Sequence, residues 1–154
     1  MITFIIPQGH AYRHFQGSGE TGSLFYAETP AQVLTYAASA FPEVFKNAIP
    51  DSRDGKKRLS FVADHDIGLC NVVAQEDLTQ EEAANISIED RDGIPVKTAI
   101  TSRKFPTREF QIILDADNTV ITMFPGPMAP PLPKKGEKSE YWDKHLFVKP
   151  ATLI

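Results

Sequence analysis

The sequence predicts an α+β domain: one helical stretch near the start, then a series of antiparallel strands. Three observations lead there. Apolar residues recur at three- and four-residue spacing from Val33 to Ala48, then give way to short alternating runs that continue to Phe124. Turn signals separate those runs, Asp92-Gly93 and "ADN" (Ala116, Asp117, Asn118) among them. The chain has 154 residues, 42% hydrophobic and 23% charged, which suits a single packed domain over 1–154.

Each element has a local reason. Ile2 to Ile6 reads as a short strand ended by Pro7. Thr29-Pro30 opens a helix, because Thr supplies an N-cap oxygen and Pro fits the first helical position. Val33, Leu34, Ala37, Ala38, Phe41, Val44, Phe45 and Ala48 form its apolar stripe. Pro42 interrupts the stripe, so a kink or two helices meeting near Ala40 are expected. "RLSFVAD" and "IGLCNVVA" read as a hairpin or a pair of adjacent strands. Thr79 with Glu82 forms a capping-box pattern for a short helix from Gln80 to Asn85. "ISIED" and "IPVKTAITS" flank Asp92-Gly93. "EFQIILD" and "TVITMF" flank "ADN", with Ile112 and Thr122 placed to face each other. Residues 125–136 are proline-rich, which bars a central strand and favours an extended course over the surface. "YWDKHLFV" then regains aromatic and apolar residues, so this end is expected to dock back on the core.

Composition narrows the function classes. A net charge of −4 argues against a general nucleic-acid coat protein and leaves room for a local basic groove. Two clusters could supply one: Arg53, Lys56, Lys57 and Arg58, and Arg103, Lys104 and Arg108. Solvated loops have the same composition. No apolar run reaches the ~20 residues of a membrane span, and the start lacks a basic leader, so no membrane partner is expected. Cys70 stands alone in "IGLCNVV" and reads as a small buried hydrophobe. No glycine-rich phosphate loop of the Walker or dinucleotide type is present, and no cofactor is expected.

"QGHAYRHF" carries the chemistry. It places His10, Arg13 and His14 within five residues, and the whole chain has four histidines. Three readings stand side by side. The spacing of His10 and His14 would suit a metal half-site on a helix, but Gly9 and Pro7 oppose an established helix and other soft ligands are few. A solvated polar loop fits the spacing equally. The third reading is an acid–base–cation set for metal-free RNA cleavage: histidine near its ordinary pKa moves protons, and Arg13 meets the charged phosphorane. A hydroxyl such as Ser102 or Thr122 would position the phosphate. Trp142 and His145, one helical turn apart, offer a stacking surface for a base or, alternatively, a terminal anchor. "PPLPKK" fits the form that aromatic-grooved peptide modules bind, and equally a rigid connector.

The His-Arg-His cluster near the start and the late run "FQIILDADNTVITMFPG", followed by proline, resemble the small toxin ribonucleases of bacterial competition and toxin–antitoxin systems. That family shares the barnase–EndoU–colicin–RelE fold. The resemblance covers the two ends of the chain, through short motifs. It implies an N-terminal helical part packed on a curved antiparallel β-sheet, and a metal-independent endoribonuclease working by 2′-hydroxyl attack. It implies catalytic roles for His10, Arg13, His14 and Thr122, and phosphate contacts for Lys104 and Arg108. The partners would be RNA, with tRNA a candidate target, and a cognate immunity or antitoxin protein; the site of action would be the cytoplasm. The acidic balance supports a rival, a non-catalytic binding protein of the immunity, antitoxin or phage-accessory kind, since an acidic surface suits a basic nuclease.

Overall fold

The computed structural model describes residues 3–7, 9–15, 23–91, 93–134 and 136–150; the side chains of His10 and Pro150 lie outside that description. In chain order the elements are a 3₁₀ turn (His10–Tyr12), β1 (Leu24–Phe25), α1 (Pro30–Ala40), α2 (Pro42–Lys46), β2 (Lys57–Val62), β3 (Gly68–Leu69), β4 (Val72–Ala74), α3 (Gln80–Ala83), β5 (Ile86–Arg91), β6 (Ile94–Thr101), β7 (Pro106–Thr107), β8 (Glu109–Leu114), β9 (Val120–Pro125), α4 (Glu140–Lys144) and β10 (His145–Pro150). The class is α+β, but the strands divide among three sheets rather than forming one. Their orders are β1-β3-β7, β4-β10-β6-β5 and β2-β8-β9.

The helices form where their end signals sit. Thr29 caps α1: its hydroxyl accepts from the Gln32 amide at 3.4 Å, and the Gln32 side chain accepts from the Thr29 amide at 3.1 Å. Pro42 ends α1 and opens α2, because it cannot supply the N–H that a continuous helix needs. Thr79 and Glu82 form the second capping box, over a helix that stops at Ala83.

The β2-β8-β9 sheet holds the larger core. Strand alternation sends Leu59 and Phe61 of β2, Phe110, Ile112 and Leu114 of β8, and Met123 of β9 to one face, where they meet Val33, Leu34 and Ala37 of α1. Phe110 is fully buried at the centre, stacked on Phe61 at 4.7 Å with the rings 12° apart, and edge-on to Phe25 and Phe41. A second, smaller cluster of Val73, Ala99, Leu146 and Val148 lies on the four-stranded sheet, with Leu78, Ile86 and Phe105 against it.

Several expectations change. Of the N-terminal strand, only an isolated parallel bridge from Ile5 to Thr119 is seen, and Ile2 lies outside the described residues. "RLSFVAD" and "IGLCNVVA" are not a hairpin: β2 pairs with β8, β3 with β1 and β7, and β4 with β10. The apolar face of β2 finds a deeper partner in Phe110 and Ile112 than any neighbour in sequence offers. In the β8–β9 hairpin Thr122 stands opposite Ile113, not Ile112, because the register shifts between Ile113 and Leu114. Asn118, with φ 68°, turns that hairpin. Glu140–Pro150 does dock back: β10 inserts between β4 and β6, antiparallel to the first and parallel to the second.

Phe110→Ala should cost about 3–5 kcal/mol, the range for emptying a fully buried phenylalanine site. Ile49→Ala, at a residue 85% exposed, should stay within about 0.5 kcal/mol of the parent. Urea denaturation of both variants measures the contrast.

Candidate functional site

The "HAYRHF" run becomes a 3₁₀ turn because two of its residues are pulled into the core. Ala11 and Phe15 are buried, four apart, and Phe15 stacks on Phe25 at 4.9 Å. That leaves Tyr12 and Arg13 exposed and His14 half-buried. Backbone bonds from Tyr12 N to Gly9 O (2.9 Å) and from Phe25 N to His14 O (2.8 Å) fix the turn against β1.

The turn sits at the open edge of β9. Ser23, itself buried, donates its hydroxyl to the Pro125 carbonyl at 2.8 Å, and His14 Nδ1 lies 2.9 Å from the Ser23 carbonyl. A carbonyl only accepts, so Nδ1 carries a proton and donates it, which fixes the orientation of the ring. The imidazole rests beside Phe124, ring centres 5.9 Å apart. Thr122 is two residues along β9 and therefore on the same face as Phe124, about 7 Å away along the strand. Gln111, paired with Phe124 across the sheet, is also buried; its amide nitrogen donates to the Gly126 carbonyl at 3.0 Å and its oxygen accepts from Ser60 at 2.5 Å. Ser60, Gln111, Phe124 and Thr122 thus share the sheet face opposite the phenylalanine core, with the His14 ring beside Phe124.

The structure thus brings Arg13 and His14 to the edge of the strand that carries Thr122. The side chain of His10 lies outside the described residues; its backbone opens the same turn. The other sequence candidates have these settings. Lys104 is exposed in the β6–β7 connection. Arg108 is exposed, with its nearest carboxylate, Asp66, at 3.9 Å. Trp142 of α4 and His145 at the start of β10 pack by the four-stranded sheet: Trp142 stacks on Phe147 at 5.0 Å, and His145 stacks on Tyr141 at 3.8 Å with its Nδ1 donating to the Tyr141 carbonyl. Ser102 is exposed in the loop that also holds Arg103.

The basic clusters are largely matched by local carboxylates. Arg53 pairs with Asp51 at 2.7 Å, and Arg58 with Asp54 at 2.6 Å. Lys57 donates to Asn118 at 2.6 Å. Arg103 holds Glu82 through two nitrogens at 2.9 Å and lies over the Phe105 ring. Cys70 is half-buried; burial pushes its thiol up, and Glu109 adds to the shift, so it stays protonated at neutral pH. Among the described residues no group of three or more His, Cys, Asp or Glu side chains is placed to hold a metal ion. No described helix is long and apolar enough to cross a membrane.

Sequence reasoning missed Ser23, Phe124 and Gln111. Phe124 was within reach, since it shares Thr122's side of an alternating strand. Ser23 carried no signal, because its role depends on the Pro125 carbonyl a hundred residues later.

The Glu82 contacts set a pH response. Arg103 first, and the Thr79 amide second, hold the Glu82 carboxyl at about 2, below its ordinary 4.5. A depressed folded value means the unfolded chain binds the proton first as pH falls. Stability from this group is therefore complete above about 4.5 and is lost between there and about 2. Urea midpoints from pH 6 to pH 2 should fall less steeply for Glu82→Gln than for the parent.

No protein-family model, no curated protein and no solved structure matches this chain.

Proposed function

We propose that the chain is a metal-independent endoribonuclease of the bacterial toxin type, acting at the edge where the 3₁₀ turn meets the polar face of β9. One observation carries the reading: His14 is oriented through Nδ1 by a backbone carbonyl and lies beside Phe124, one strand step from the Thr122 hydroxyl. A backbone carbonyl on Nδ1 holds the imidazole in one orientation beside the strand, and a proton-transferring histidine needs such an orienting partner.

In this reading His14 takes the proton of the ribose 2′-hydroxyl. The freed oxygen attacks the adjacent phosphorus, and the 5′ oxygen leaves with a proton supplied by His10. The products are a 2′,3′-cyclic phosphate and a 5′-hydroxyl end. Arg13, exposed on the same turn, meets the extra negative charge of the phosphorane. Thr122 hydrogen-bonds a phosphate oxygen, and the Phe124 ring edge borders the base. Trp142 and His145, committed to the proline strap and to Tyr141, take no part in the step, while Lys104 and Arg108, both exposed, contact neighbouring phosphates. RNA as substrate sets the cytoplasm as the site of action, with tRNA a candidate target and an immunity or antitoxin protein as natural partner.

A second reading rests on a different observation. Arg53, Arg58 and Arg103 are matched by nearby carboxylates, and the chain is acidic overall, which suits a non-catalytic protein that covers a basic nuclease.

Incubating the purified chain with total tRNA in EDTA separates the two. The ribonuclease reading expects cleavage with cyclic phosphate ends, a loss of about 10²–10⁴-fold in His14→Ala, and a smaller loss in Thr122→Ala. A folded protein that leaves RNA intact, or a His14→Ala variant as active as the parent, would overturn it.

A further inference from the structure

The proline-rich strap between β9 and α4 is held in a way its composition alone does not require. The Trp142 indole N–H points at two successive proline carbonyls, Pro130 O at 3.2 Å and Pro131 O at 3.3 Å. The ring is itself braced: it stacks on Phe147 at 18°, and the Arg91 guanidinium lies 3.9 Å from the Phe147 ring centre. Ser139 fixes the base of α4 by accepting from the Trp142 amide. Pro130 and Pro131 face solvent, while Leu132 and Pro133 line a cavity of about 330 Å³ whose other walls include Val96, Trp142, Asp143 and Glu137.

Those are the parts of a polyproline-reading groove. A proline run has no N–H groups, keeps strong carbonyl acceptors, and is already extended, so an aromatic N–H donor on a rigid platform can bind it at low entropic cost. On the groove side Asp143 and Lys97 line the cavity, with Lys97 Nζ donating to the Asp143 carbonyl at 2.7 Å, while Lys134 and Glu137 belong to the strap. The cavity under Leu132 and Pro133 shows that the strap does not fill the site. Pro130 and Pro131 belong to the same chain as Trp142, so they meet its N–H at high local concentration.

We propose that Trp142, Val96 and the adjoining wall of the cavity form a binding site for a proline-rich peptide of a partner protein, occupied in cis by Pro130–Lys134 when that partner is absent. A peptide in trans competes with the strap, so its apparent affinity for the intact chain is the intrinsic affinity reduced by the fraction of time the groove is open. Loosening the strap strengthens binding in trans.

Trp142 is the only tryptophan, so its emission reports this site alone. A labelled peptide, APPLPKKGEK, copies 129–138 and serves as the probe. The full chain, Pro130→Gly/Pro131→Gly, and the milder Pro131→Ala are each titrated by anisotropy and by Trp142 emission, after circular dichroism shows them folded. The expected result is saturable binding, at least about tenfold tighter in a loosened variant than in the parent, with a matching shift in Trp142 emission. A peptide with its prolines replaced by alanine should not bind. Absence of binding to the folded loosened variants, or equal binding of the alanine peptide, would overturn the proposal. So would a dimer of the parent that excess peptide leaves intact, which would assign the groove to a second copy.

Discussion

The stack of Phe110 on Phe61 is the contact on which the rest of the molecule depends. It couples two strands that lie some fifty residues apart in sequence and supplies the surface that α1, Phe25 and Phe41 cover. Burying rings of this size is worth several kcal/mol each, a large share of the margin of a domain this small. Strict alternation does the rest. Once Phe110, Ile112 and Leu114 point inward, Gln111 must point outward, and its amide has to be satisfied on the far face. The hydrogen-bonded row of Ser60, Gln111 and the Gly126 carbonyl is therefore a consequence of the aromatic core, and Gln111 pairs across the sheet with Phe124, beside which His14 lies.

Much of the local structure was legible because it is decided within a few residues. Thr29-Pro30, Pro42 and the Thr79–Glu82 pair each act through one helical turn, and each works as the sequence implies. The β5–β6 and β8–β9 hairpins follow from their turns. Long-range pairing was not legible. Whether Leu59 and Phe61 cover a neighbouring strand or β8 is decided by depth of burial, and nothing local to "RLSFVAD" encodes it. The parallel entry of β10 beside β6 is of the same kind. One bulge was enough to move Thr122 from Ile112 to Ile113.

The candidate site divides along the same line. The clustering of Arg13 and His14 is a fact of sequence. Their place at the edge of β9 is a fact of packing, set by Phe15 on Phe25 and by the Ser23 hydroxyl on Pro125. Spacing also grouped Trp142 and His145 with the same chemistry. Packing instead commits the Trp142 N–H to the proline strap and His145 to Tyr141, on a different sheet. Two aromatic sites thus lie against separate sheets, the first bordered by His14 and Arg13 and the second by the proline strap.

The most direct measurement of the central claim maps where RNA binds. Amide chemical-shift changes in the labelled protein would be followed during titration with a short RNA whose 2′-hydroxyls are removed, so that it binds without being cut. The ribonuclease reading expects the largest changes in Tyr12–Phe15, Ser60, Gln111 and Thr122–Phe124, with residues 145–148 little affected. Changes confined to the four-stranded sheet, or none at all at saturating RNA, would contradict it.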